Sequence, residues 1–460
     1  MCNLLNLEAL PPTLEQLIGR AEGNPFYVEE IIRMLIDQGT IVRQGERWQL
    51  VREIELETVP DTLQGLIMAR LDRLLEEARR TLQLASVIGR IFRQHMLHWL
   101  AAAVDLASRM NVNLMTLRQA ELVRQRAVLP EPEYAFKQMM IRDVTYESLL
   151  IRDRRAYHHL LAQNLEREYS TRLEEIYELL AHHYALSPDR QKALEYLLKA
   201  GRKAQTTYAN PEAISFYRQA ERLAQELGRQ QEQGDALEGL GNVLFHVGEY
   251  DEALRCYRQA LPLRTTLRER AEVYRRMGMV YEKRGEYERA LEVCGEGIAL
   301  LTPDEERSVE MARLLITRAR VYQQQGQSAA ALTDGQASLS IVLGTNHYRE
   351  IAQAYNSLGL SYRDTQPDKA VEHLEQGLAI LERIGDEYEA ARVYGNLAIL
   401  YYQTDLARSA MYFQRVLNTM QRLGDVWGES TTYQNLGIIH YAQGNYSQAI
   451  DYYPVSYTHL

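Results

Sequence analysis

The chain has 460 residues, 46% hydrophobic and 25% charged, a balance that excludes global disorder and leaves room for two or three domains. Its formal net charge of -10 argues against a nucleic-acid-binding protein, which needs a basic face. Three cysteines, Cys2, Cys256 and Cys294, stand too far apart for a disulfide framework or a zinc site, so a reducing cytoplasm is expected. The opening MCNLLNLEALPP lacks a basic segment followed by an apolar one. The apolar run around Trp99 is interrupted by Asp105 and falls short of a membrane span, so no membrane partner is expected.

In chain order, residues 13–38 read as helices broken by the turn Gly23-Asn24-Pro25. Residues 41–50 alternate around Gly45 and predict a small hairpin. Residues 62–74 and 76–88 have helical periodicity, with Asp61 or Thr62 as the N-cap after Pro60. Further helices are expected over 93–103 and 114–125. Pro130 and Pro132 place a turn between two short strands, 127–129 and 134–136, and one long helix is expected over 139–169. Three helices followed by a hairpin is a winged-helix order.

The remainder repeats. Thirty tyrosines against six phenylalanines suit a repeat that reuses one Tyr position better than a plain apolar core. Tyr274, Met277, Gly278 and Tyr281 precede Gly285, Tyr287 and Ala290. The pattern returns in Leu237, Leu240, Gly241 and Leu244, and again in Tyr355, Leu358, Gly359 and Tyr362. Tyr394, Leu397, Ala398 and Tyr401 form another copy, as do Tyr433, Leu436, Gly437 and His440. Tyr177, Leu180, Ala181 and Tyr184 open an earlier copy, and Leu315, Ala319 and Tyr322 mark a weaker one. Residues 200–228 look like a degenerate hairpin with an eroded first helix. The period is roughly forty residues, and seven residues make about two helical turns, so each Tyr pair shares a face with the Leu between. The small residue after that Leu admits a partner helix, and the later Gly ends the first helix. Such a hairpin cannot bury its stripe alone and must stack on neighbours.

This pattern, over residues 174–453, resembles the tetratricopeptide repeat. The resemblance implies an α-solenoid, and with the small helical, winged-helix module with short β-hairpins read before it the expected fold class is all-α. It also implies a protein or peptide partner in a groove lined by the first helices. Residues one or two before the core Leu would point into that groove, which nominates Arg275, Asn356, Asn396 and Asn435, with Arg363 just past its Tyr.

The segments AEGNPFYVEE, PDTLQGLIMARLDRL, LQLASVIGRIF and YAFKQMMIRDVTYESLL, within residues 11–165, resemble STAND-type signalling ATPases between their nucleotide-binding domain and their repeats. The resemblance implies an ATP-binding parent whose missing ATPase or effector domain would be a further partner. It leaves three parents open: a repeat-sensing ATPase, a nucleotide cyclase or kinase with this chain as its regulatory middle, and a transcription regulator. No GxxxxGK[ST] occurs, so neither hydrolysis nor a cofactor is assigned to this chain. Pro25 matches the Gly-x-Pro whose proline packs on adenine in such ATPases, although any helix-starting turn would also use it. Gln138 stands where relatives carry a His that approaches the β-phosphate, and Gln cannot become cationic.

The expected domains are 1–50, the end of the ATPase lid; 51–170, winged-helix-like; and 171–453, the repeats. Residues 454–460 have the character of translated adapter sequence, with Pro454 expected to stop the helix inside a cut repeat. A parent extending beyond both ends is expected. The pairs His158-His159 and His182-His183 diverge around their helices and read as surface or satisfied residues, not metal ligands. Arg152, Arg154 and Arg155 form a small basic patch interrupted by Asp153.

Overall fold

The computed structural model describes residues 12–458 except 22, 45–46, 53, 55–58, 129, 302–307 and 424. The sequence expectations for residues 1–11 and 459–460 lie outside the described residues. The chain divides into two compact units, Met1–Ala200 and Gly201–Leu460.

The first unit begins with helices α1 (Pro12–Gly19) and α2 (Pro25–Asp37) and the antiparallel pair β1 (Ile41–Gln44) and β2 (Arg47–Leu50). Gly23 turns at φ +83. Asn24 caps α2, its side chain accepting from the Phe26 N–H, with Pro25 in the first helical turn where its missing N–H costs nothing. Leu14, Leu17, Ile31, Met34 and Leu35 form the core here with Ile54, Val59 and Leu66. Helix α3 (Leu63–Asp72) is capped by Thr62, whose hydroxyl accepts from Gly65 N–H.

Then follow α4 (Glu76–Ile88), β3 (Ile91–Arg93), α5 (Gln94–Ala102), α6 (Met110–Gln119), β4 (Val123–Ala127) and β5 (Glu133–Phe136). The strands form an antiparallel sheet in the order β3-β5-β4. The helix expected over 114–125 thus starts and stops earlier, and the strand expected at 127–129 begins at Val123. Glu121 takes a left-handed φ of +52, which ends the helix and turns Val123 into register with Phe136. Pairing across the sheet overrides the local helical pattern.

The long helix expected over 139–169 is two, α7 (Met139–Glu147) and α8 (Ile151–Glu168). Leu150 is extended, and Arg154 stabilises the break by donating to the carbonyls of Leu149 (2.9 Å) and Glu147 (2.5 Å). That use accounts for Arg154, and Arg152 pairs with Asp153. Helices α9 (Tyr177–Ala185) and α10 (Arg190–Thr206) follow.

The second unit continues with α11 (Asn210–Glu226), then six helix pairs: α12 (Gln230–His246) with α13 (Tyr250–Ala260), α14 (Leu267–Lys283) with α15 (Tyr287–Leu300), α16 (Val309–Gln324) with α17 (Ser328–Val342), α18 (Tyr348–Tyr362) with α19 (Pro367–Ile384), α20 (Glu387–Tyr401) with α21 (Leu406–Leu423), and α22 (Val426–Ala442) with α23 (Tyr446–Thr458). The all-α solenoid with a few short strands is therefore observed. Close approach within each pair depends on the small residue. A Cβ added to Gly278 would stand 2.6 Å from Cys294 Sγ, and one on Gly241 2.6 Å from the Tyr257 ring. Both contacts lie sixteen residues ahead in sequence, and Gly201 meets Tyr217 at the same spacing. The hairpin read as eroded therefore keeps its small residue, on α10.

The last helix runs to Thr458, through Pro454. Proline deprives the helix of one hydrogen bond, but Tyr453 is already seated against Gly437, so packing on α22 carries the helix past it. Among the described residues no helix is long and apolar enough to cross a membrane.

Candidate functional site

The first helices of consecutive pairs present one wall. A depression in it, enclosing about 110 Å³, is lined only by residues of α14, α16, α18 and α20, among them Arg275, Arg313, Arg320, Asn356, Ser357 and Arg392. Pockets for drug-sized ligands begin near roughly 300 Å³, so the depression suits one side chain or a small anion rather than a cofactor.

Two of the five residues nominated from the sequence, Arg275 and Asn356, line this depression. Arg275 grips Glu272 with two hydrogen bonds, of 2.8 and 2.7 Å, and its third nitrogen lies 2.9 Å from Met279 Sδ. Burial alone would raise the Glu272 carboxyl, but the charge and hydrogen bonding of Arg275, with Arg276 and Arg313 nearby, hold it at about 2. Asn396 Nδ2 donates to Asn356 Oδ1 at 2.8 Å, linking α20 to α18. Asn435 occupies the matching position on α22, half-buried. Arg363 lies outside the depression, at the end of α18, paired with its neighbour Asp364.

The wall's polar residues are tied from repeat to repeat. Arg276 pairs with Glu238, Arg320 with Glu282, Arg313 with Glu350, and Gln323 donates to Ser361. Each bond crosses thirty-seven or thirty-eight residues, one repeat. Sequence reading missed Arg313, Arg320 and Arg392. They stand at fixed offsets from Ala319 and Ala398, the small residues of their helices, and numbering from those residues would have found them.

In the first unit, Pro25 starts α2 and Gln138 precedes α7, where its side chain makes no capping bond. The regions holding them are joined by four charges: Lys137 reaches Glu29 (3.1 Å) and Glu121 (2.5 Å), and Arg33 pairs with both carboxylates. Hydrogen bonds from Lys137 and Arg33 hold the Glu121 carboxyl at about 2. One member of each histidine pair is fully buried. His158 Nδ1 lies 2.9 Å from His183 Nδ1, and its Nε2 lies 2.9 Å from Tyr146 Oη. Among the described residues no cluster could hold a metal ion, and Cys256 and Cys294 are buried free thiols.

Stacked helix pairs with a shared wall define the class, a repeat solenoid that serves as a protein–protein interaction scaffold. A family model described as the tetratricopeptide repeat matches residues 209–266, 232–302, 310–383, 350–422 and 389–458, and the chain belongs to that family. No curated protein matches its sequence. Among solved structures, it is similar to a Signal Transduction ATPase with Numerous Domains (STAND) protein with a tetratricopeptide repeat sensor from Pyrococcus horikoshii, at 12% identity and a TM-score of 0.51, over 98% of this chain and 68% of that one. It is also similar to the apo form of the quorum sensor NprR from B. thuringiensis, at 14% identity and a TM-score of 0.51, over 86% of this chain and 99% of that one. At these identities the likeness is one of fold.

Proposed function

We propose that this chain is the sensor and signal-transmission region of a STAND-type signalling ATPase, binding a protein or peptide along the wall of first helices. The observation that carries this reading is the depression lined by four successive first helices, a continuous surface that no single repeat could form. Arg275 and Asn356 line the depression, Asn396 and Asn435 would extend the track along α20 and α22, and Asn side chains both donate to and accept from an extended backbone. Arg363 would act only at its edge.

We read residues 51–170 as a winged-helix module between the lid and the repeats. The order helix, strand, two helices and two strands over Glu76–Phe136, with β3 paired to β5, supports that reading, as do the four STAND-like segments. The similarity to a STAND protein along nearly the whole chain is consistent with it. Pro25 and Gln138 would then be the residues nearest a nucleotide bound in the parent, and the Glu29–Lys137–Glu121–Arg33 quartet would tie the lid to the module. ATP belongs to the parent, and the setting is cytoplasmic.

Two experiments test this. The coding sequence around this chain should contain a phosphate-binding loop upstream; a parent without one would remove the ATPase assignment. A partner captured by the chain should bind the Asn396→Ala, Asn435→Ala double variant more weakly while helical circular dichroism is retained. Unchanged affinity in that folded variant would move the binding site to another face.

A further inference from the structure

The wall changes chemistry along its length. The residue just after the small residue of each first helix is Asn242 on α12, Met279 on α14, Arg320 on α16, Leu360 on α18, Ile399 on α20 and Ile438 on α22. Charge is gathered in the middle repeats, and the last three present aliphatic side chains, with Ile399 and Ile438 exposed. Within the aliphatic part lies Gly395 on α20, the same helix as Ile399, where an added Cβ would meet nothing within 4 Å, so the missing side chain leaves the wall low there.

The depression itself is asymmetric in charge. Four arginines line it, against Glu389 as its one lining carboxylate. The carboxylate partners of three of these arginines are more deeply buried than the arginines: Arg313 is 35% exposed and Glu350 9%, Arg320 26% and Glu282 10%, Arg392 38% and Glu389 10%, while Arg275 is itself mostly buried against Glu272. Arg313, Arg320 and Arg392 thus stay partly open to the groove, each held in position by a carboxylate more buried than itself. Ser357, also in the lining, has a buried hydroxyl without a hydrogen-bond partner.

Resting on the reading of this wall as a binding surface, we propose that the depression is an anion subsite for the carboxylate of an Asp or Glu side chain. That side chain belongs to an extended partner segment whose apolar residues lie over Leu360, Ile399 and Ile438. Arginine forks match a carboxylate in geometry. Because the backing glutamates already offset much of the arginine charge, the subsite suits a single negative charge better than a doubly charged phosphate. Its small volume takes one side chain, and the wall continues on both sides, so the acid sits within the segment rather than at its end.

The test is selection of a random dodecapeptide library, displayed with both ends blocked, on the full chain, followed by fluorescence anisotropy with the selected peptides as synthesised probes. We expect enrichment of one acidic residue with aliphatic residues to one side of it, and at least ten-fold weaker binding when that acid is replaced by its amide. The Arg313→Lys, Arg320→Lys variant, which keeps the ion pairs to Glu350 and Glu282, should lose most of that discrimination. Gly395→Leu, which has room to fold, should weaken every selected peptide. Selected peptides without an acid, or equal binding of acid and amide, would overturn the subsite and leave the groove reading intact. Enrichment only from a second library with free carboxyl termini would show that the subsite takes a chain end, overturning the internal acid. Failure of either library to enrich on the wild type over Gly395→Leu would overturn both the subsite and the groove.

Discussion

Gly278 and Cys294 are matched so closely that the second leaves no space for a side chain on the first: a Cβ on Gly278 would lie 2.6 Å from Cys294 Sγ. Cys294 is fully buried, and burial pushes its thiol up to about 12, so it acts as a small apolar residue rather than a nucleophile. The same meeting of a small residue with a side chain sixteen positions on recurs at Gly241 with Tyr257 and at Gly437 with Tyr453.

Overfilling that contact should destabilise the solenoid. Gly278→Leu is expected to cost about 1–3 kcal/mol, read as a lower midpoint in thermal melts. Glu288→Leu, on the exposed face of α15, should stay within about 0.5 kcal/mol of wild type. Equal midpoints for the two variants would mean that the helices do not meet at Gly278.

A second prediction concerns Arg264, which is almost fully buried and pairs with both Glu238 and Asp235. Arg264→Met leaves Glu238 buried with Arg276 as its remaining strong partner. Removing one partner of a buried pair costs about 3–5 kcal/mol, and chemical denaturation should show a loss of that order. Arg202→Ala removes an exposed cation 3.8 Å from the same Asp235 and should be close to neutral. A stable Arg264→Met protein would show that the pair is dispensable.

The histidine cluster predicts acid sensitivity. Burial, then the positive charges that His182 and Arg142 would oppose to it, lowers the His158 pKa to about 3. His183 is lowered in the same direction for the same reasons, with His158 itself adding to the repulsion. The folded state therefore refuses protons that the unfolded chain accepts near 6.5. Stability is unaffected above that pH and falls as pH drops from 6.5 toward 3, by about 1.4 kcal/mol per pH unit for His158, with His183 acting in the same direction. In urea melts between pH 7.5 and 4, His158→Gln should be less stable at the upper end and show a shallower slope. A slope identical to wild type would remove His158 from the acid response.

Because the sequence contains no phosphate-binding loop, the purified chain should hydrolyse no ATP and form no cyclic nucleotide. Phosphate release and product chromatography would check this. Turnover that survives purification to homogeneity would overturn it.

The sequence alone was enough for the repeat, because hairpins of this kind are specified locally. Tyr274, Met277, Gly278 and Tyr281 lie within two turns of one helix, and each copy must pack on the next in the same way. It also placed the turn at Gly23-Asn24-Pro25, a cap at Asp61 or Thr62, of which Thr62 makes the bond, and the β1–β2 hairpin, whose causes span only a few residues. Tertiary structure decided what depends on residues distant in the chain. Glu121 ends α6 early because Val123 pairs with Phe136, and α7 stops at Glu147 where the Arg154 side chain takes up its free carbonyls. His158 meets His183 only through the packing of α8 with α9. The candidate site divides in the same way: Arg275 and Asn356 were nominated from their offset to the core residues Met277 and Leu358, whereas Arg313 and Arg320 on α16 came together with Arg392 on α20 only when first helices of different repeats were brought side by side.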